Sequence, residues 1–178
     1  MKYRREDIIQ AGVAVLRERG LSGFTQPRVT AEAGLRQSHL TYYFPKRRDL
    51  LFAVARTAIE CQLGAVDAML GETEPRATAK AIARLGVEHE NTRVIMALAQ
   101  AADQEPALRE LFRELTDGTI LRVGKLLEDL NITPTNDHCY LLQALSFGLA
   151  VIDLGTARKN GGRRAARTLE ITIALMRT

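Results

Sequence analysis

Several things are scarce in this chain, and each shortage closes a route. Its 178 residues include only two cysteines, Cys61 and Cys139, without a Cys-x-x-Cys spacing, so neither a disulfide framework nor a zinc site follows, and both thiols are expected buried and reduced. Prolines number five and aromatics make up 5%, while alanine and leucine are abundant and apolar residues reach 46%. That balance suits a folded, helical protein better than a β-sandwich. The N-terminus has no apolar targeting segment, and no run of apolar residues reaches the length that spans a bilayer, so a cytoplasmic protein without membrane contact is expected. Catalytic patterns are missing as well. His39, His89 and His138 stand far apart, and no Gly-x-Ser-x-Gly, His-Glu-x-x-His, P-loop or Gly-x-Gly-x-x-Gly occurs. Cys139 beside His138 is no nucleophile and base pair, because adjacent side chains on a helix point about 100° apart. The expectation is a non-enzyme with no cofactor and no metal.

Charge is what the chain has, and it is unevenly placed. Residues 1–50 hold ten Lys and Arg against five Asp and Glu, whereas residues 51–178 hold 15 against 16. The whole excess of +4 therefore lies at the N-terminal end, as a surface that meets phosphates requires. Lys2, Tyr3, Arg4 and Arg5 form a basic arm, either a minor-groove contact or a frayed terminus.

Within that basic end, Thr25 to Phe44 (TQPRVTAEAGLRQSHLTYYF) reads as two short helices joined at a glycine. Thr25 is an N-cap candidate, Pro27 falls in the first turn, and Ala33-Gly34 offers a small contact followed by a residue at ease in the left-handed conformation. The second helix, about Arg36 to Tyr43, turns Leu40 and Phe44 inward at i, i+4. Arg36, Gln37, Ser38, His39, Thr41, Tyr42 and Tyr43 then face outward. Arginine and glutamine match guanine and adenine edges, and hydroxyls and tyrosines reach phosphates. A merely solvated face is the plainer alternative. Ile8, Ile9, Val13 and Leu16 of a first helix ending at Gly20, with Phe24, Val29, Leu40 and Phe44, make a small core under this pair. The triplet Lys46-Arg47-Arg48 opens the next helix, where acids are usual; a phosphate there would resolve the mismatch.

These residues carry a resemblance. From Arg5 to Leu51, with IIQAGVAVLRERG and then FTQPRVTAEAGLRQSHLTYYFPKRRDLL, the chain resembles the DNA-binding domain of the tetracycline-repressor (TetR) family of transcriptional regulators. It departs from that family's common residues at Arg36, His39, Thr41 and Arg47. The resemblance implies an all-α protein of about nine helices: a three-helix helix-turn-helix domain over residues 1–46 and an effector-binding and dimerisation domain over 47–178. Its candidate DNA contacts are Thr25, Gln26, Arg28, Arg36, Gln37, Ser38, His39, Thr41, Tyr42, Tyr43, Lys46 and Arg47. It further implies that helices 4 to 7 enclose a small-molecule effector. Gln62, His89, Met96, Gln100, Phe112 and Thr116 are the polar or adaptable residues of those helices that would line such a pocket.

The rest of the chain reads as helices over about 46–70, 76–88, 92–103, 106–130, 137–158 and 163–177, with Gly118 a possible bend in the fourth of these. The eighth helix is apolar nearly all round, and the ninth has an Ala166, Leu169, Ile173, Met176 stripe. Such a surface needs cover on two sides. A second copy is expected to pack against Leu141, Leu145, Gly148, Leu149 and Ile152 together with Leu169, Ile173 and Met176; burial within one chain is the competing view. The reading that results is a homodimeric, ligand-responsive repressor on a palindromic operator in double-stranded DNA. A binding module whose helix-turn-helix has lost function is the alternative, and a helical enzyme comes last.

Overall fold

In a computed structural model, which describes residues 5–87 and 90–177, the described residues form nine helices and no strand: α1 Arg5–Gly23, α2 Gln26–Glu32, α3 Gln37–Tyr43, α4 Arg47–Asp67, α5 Pro75–Val87, α6 Glu90–Gln104, α7 Pro106–Asp129, α8 Asn136–Thr156 and α9 Gly161–Leu175. The arm residues Lys2, Tyr3 and Arg4, and His89, lie outside the described residues. Two compact units divide the chain, one of Met1–Cys61 with Arg93–Arg113, the other of Gln62–Thr92 with Glu114–Thr178.

In the first unit, α1 packs on α2 and α2 on α3. The inner face of α1 is Ile8, Ile9, Ala11, Gly12, Val15 and Leu16, which leaves Val13, expected inside, half-buried. Gly20 does break α1, with φ 63° and ψ −171°, and a short turn carries the chain on to Gly23. Phe24, Val29 and Leu40 are wholly buried and Phe44 nearly so. Gly12 lies so close to α4 that an added Cβ would stand 2.5 Å from Val54 Cγ2. That position excludes any side chain.

The second unit surrounds a core of Ala79, Val123, Leu126, Leu127, Leu130, Leu142, Leu169 and Ile173, among others. Here α9 packs along α5, and α8 touches both. The end of α4 is fastened to α7 by Arg122, whose Nε and Nη2 donate to Asp67 Oδ1 and Oδ2 at 2.8 and 2.9 Å. Gly118 does not bend α7, which runs unbroken past it; its lack of a side chain admits Leu63, whose methyls would stand 3.1 Å from a Cβ.

Several expectations need correction. Leu169, Ile173 and Met176 are buried in the chain's own core because the apolar stripe of α9 is used against α5, so none of them offers surface to a partner. The apolar residues that α9 leaves exposed are Ile171 and Leu175. On α8, Leu145 and Leu149 pack partly on the core, whereas Leu141 and Ile152 are 52% and 56% exposed and Gly148 faces open space. Cys61 is exposed, and only Cys139 is buried. One helix, α8, is long and apolar enough to cross a membrane by length and composition, contrary to the sequence expectation; it nonetheless packs on α5 and α9 and carries a buried Asp153.

Replacing Gly12 by alanine is expected to lower stability by about 1–3 kcal/mol, because Val54 is fully buried and cannot move aside. Urea unfolding followed by circular dichroism measures it; a midpoint equal to that of the wild type would show that α1 and α4 tolerate the methyl.

Candidate nucleic-acid interface

The outward helix owes its direction to the corner before it. α2 ends at Ala33, and Gly34 takes φ 66°, a left-handed conformation that favours glycine. Gly34 N–H then donates to Ala31 O at 3.2 Å and Leu35 N–H to Thr30 O at 2.9 Å, the paired bonds that close a helix whose last carbonyls would otherwise be unmet. The chain leaves this turn through Arg36, the N-cap of α3, whose side chain makes no capping bond. Thr25 likewise occupies the N-cap of α2 without a side-chain capping bond, so its expected position holds and its expected hydrogen bond does not.

On α3 only Leu40 is buried. Gln37, Ser38, His39, Thr41, Tyr42 and Tyr43 are exposed, as is Arg36. Tyr42 stands 79% exposed, with its ring edge-on to that of Tyr43 at 5.1 Å between centroids. A seven-residue helix that offers this many polar and aromatic groups to water has the size and chemistry to enter a major groove. Thr41 Oγ1 donates to Gln37 O at 2.7 Å, so its hydroxyl proton is already used by its own helix.

Three expected DNA contacts turn their side chains to the fold instead. Gln26 Nε2 donates to Phe44 O at 2.7 Å, capping the end of α3. Arg28 Nη1 donates to Gly23 O at 3.1 Å. Arg47 Nε and Nη2 donate to Phe24 O at 2.7 Å and Leu21 O at 3.1 Å, and the guanidinium lies 5.7 Å from the Phe24 ring centroid. The cause is common to all three: where a helix stops, its final carbonyls point outward without amide partners, and a cation or amide nearby satisfies them. The basic start of α4 is thus met in part by carbonyls of the α1–α2 connection. Arg5, expected in a loose arm, opens α1 with its guanidinium 5.1 Å from the Phe44 ring centroid. Lys46 remains an exposed cation beside α3.

Thr30 was not anticipated. It is 5% exposed, and its hydroxyl touches Gln37 Oε1 at 3.0 Å. The sequence signal was a hydroxyl residue on the otherwise apolar inner face of α2, next to Val29.

The effector candidates are not gathered at one place within either unit. Met96 and Gln100 are exposed and Phe112 is half-buried, all in the first unit. Gln62 and Thr116 belong to the second, where a cleft of about 640 Å³ is lined by Ala65, Ala68, Met69, Leu70, Gly71, Glu72, Thr78, Ala81, Arg84 and Leu85. None of the candidates lines it. Gln62 lies one turn before Ala65 on α4, and its Oε1 is buried without a hydrogen-bond partner among the described residues. Burial pushes the Cys139 thiol up from its ordinary range, which keeps it protonated and unreactive beside His138. Among the described residues no group of three or more His, Cys, Asp and Glu is placed to hold a metal.

Residues 8–54 match the family model described as bacterial regulatory proteins, tetR family. No curated protein matches the chain. Among solved structures, a transcriptional regulator from Rhodococcus sp. Rha1 is similar over 96% of this chain and 94% of its own, at 20% identity and a TM-score of 0.83. A TetR-family member from Streptomyces coelicolor A3 is similar at 26% identity over 96% and 98% of the two chains, with a TM-score of 0.73. The multidrug binding protein EbrR complexed with proflavin is similar at 26% identity over 96% and 99%, with a TM-score of 0.66. A glycine-cornered helix pair presenting a polar face, a basic N-terminal end, the family match over that same stretch and likeness along the full length lead to one conclusion: the chain belongs to the tetR family of bacterial regulatory proteins and is a DNA-binding transcriptional regulator.

Proposed function

We propose that this regulator is a cytoplasmic, ligand-responsive repressor that binds a palindromic operator as a homodimer, with residues 1–46 contacting DNA and residues 47–178 serving the effector and the second copy. The observation that carries the proposal is the exposed face of α3, held by a buried Leu40 and Phe44 on a frame that fixes its direction. Gln37 and Arg36 meet base edges, Ser38, His39, Tyr42, Tyr43 and Lys46 meet bases or phosphates, and Gln26, Arg28 and Arg47 hold the frame. One seven-residue helix reads too few base pairs for useful specificity, so two copies on half-sites about one helical turn or more apart are required.

The second copy is supported by apolar surface without cover. Tyr140, Leu141, Phe147 and Ile152 of α8 and Ile171 and Leu175 of α9 are all exposed, and together they exceed what a lone surface helix leaves to water. Closure through α8 and α9 would bury them.

For the effector, the cleft between the end of α4 and α5 has the volume of a small-molecule site. Met69 and Leu70 would give apolar contact, Glu72 would attract a cation, and the orphaned Gln62 Oε1 would accept from an N–H group. A flat, cationic, N–H-bearing effector fits that description, and the EbrR complex with proflavin makes proflavin the natural probe. Coupling of about 1–3 kcal/mol between cleft and DNA suffices to lower operator occupancy 5- to 150-fold.

Duplex selection from genomic fragments followed by gel-shift titration should yield a palindrome. On it, Gln37→Ala should cost about 1–3 kcal/mol for that sequence and leave non-specific duplex binding unchanged, while Lys46→Ala should weaken both and reduce the salt slope by about 1; equal affinity of the Gln37 variant for operator and random duplex relative to wild type would remove the base-reading role. Introducing aspartate at Leu141 and Ile152 should shift sedimentation from dimer to monomer without loss of helicity, and a wild type that sediments as a monomer would refute the pairing. Fluorescence titration of the DNA-free protein with proflavin should show saturable binding that Ala81→Phe, which fills the cleft, weakens at least about tenfold. Unchanged affinity would place the effector elsewhere.

A further inference from the structure

Gln37 is the one side chain of the reading face that a buried group of another helix holds by a hydrogen bond between side chains. Thr30 sits on the inner face of α2, 5% exposed, and its Oγ1 lies 2.7 Å from Gln26 O, 2.9 Å from Pro27 O and 3.0 Å from Gln37 Oε1, donating toward each. A single hydroxyl proton thus serves three acceptors. Two of them are backbone carbonyls that cannot leave, so the hydroxyl is fixed in place, and the third is the only one on a mobile side chain. Gln26 itself is tied through Nε2 to Phe44 O at 2.7 Å, so the α2 turn carrying this hydroxyl is braced against the far end of α3 as well.

The chemical consequence concerns which end of the Gln37 amide is left to DNA. A free glutamine offers a carbonyl and an NH2 side by side, the pair that matches the N6–H and N7 of adenine. With Oε1 turned to Thr30, the carbonyl is occupied and Nε2 with its two N–H donors is what remains. Resting on the DNA-reading role given above, we propose that Thr30 is a positioning residue that makes Gln37 a donor-only reader, selecting an acceptor edge in the major groove: O6 and N7 of guanine first, O4 of thymine second. Thr30 itself touches no DNA. A glutamine with the same backbone position but without this hydroxyl would read adenine as readily.

The test is base-by-base selection from a random duplex pool with the full-length protein, comparing wild type with Thr30→Val, Thr30→Ser and Gln37→Glu. Valine keeps the volume and removes the hydroxyl; serine keeps the hydroxyl; glutamate still accepts from Thr30 but has no N–H to offer. The position in each half-site that Gln37→Ala makes indifferent should be guanine or thymine in the wild type. Thr30→Val should lower that preference roughly threefold to tenfold, the worth of one hydrogen bond, and admit adenine, with other positions unmoved; Thr30→Ser should restore it. Gln37→Glu should abolish it with Thr30 intact, which keeps the test open even where the valine variant folds poorly. A valine profile superimposable on the wild type, a glutamate variant that keeps the preference, or a wild-type choice of adenine or cytosine there would overturn the proposal. A wild type that enriches no sequence would instead defeat the DNA-reading role on which this rests, a result distinct from any of these.

Discussion

A seven-residue helix does not hold itself together in water, because the few hydrogen bonds it closes scarcely offset the ordering of its first turn. α3 exists because Leu40 and Phe44 are buried beside Phe24 and Val29, and every property of the reading face follows from that. With two inward residues four apart, the remaining positions of α3 are forced outward together. The corner at Gly34 supplies the angle, and the two bonds to Ala31 O and Thr30 O stop α2 where α3 must begin.

The basic residues of the N-terminal end divide into two tasks that charge counting treats as one. Arg28 and Arg47 donate to carbonyls left unmet at Gly23, Leu21 and Phe24, so part of the positive charge completes the frame. Lys46 and Arg36 are exposed and carry charge to the surface. The division is physically sensible. Guanidinium groups have several donors in a planar fork and fit carbonyl clusters, whereas a lysine ammonium is a compact point charge suited to a phosphate.

In the second unit, α9 uses its apolar stripe against α5 and α8 has apolar residues to spare. A helix that is apolar on nearly every side has to be covered more than once, and in this chain α5 and α9 cover only part of it. Length and composition alone would equally suit a bilayer. The neighbours that α8 already has, and the carboxylate of Asp153 buried against the start of α9 at Gly161, favour protein over lipid on its open face.

The sequence by itself determined what depends on local rules. Periodicity of apolar residues gave nine helices with ends within a few residues, Gly34 marked the corner, and the inward pair Leu40 and Phe44 assigned the outward face of α3. Only the tertiary structure decided where side chains spend their hydrogen bonds and which stripe meets which neighbour. Gln26, Arg28 and Arg47 turned inward to carbonyls whose positions are set by other helices. Leu169, Ile173 and Met176 went to the core rather than the surface, and Thr30 reached Gln37 across a turn. The reason is one of range: helix periodicity is written within about four residues of itself, whereas a carbonyl seven or twenty-three positions away comes within 3 Å only once the chain has folded.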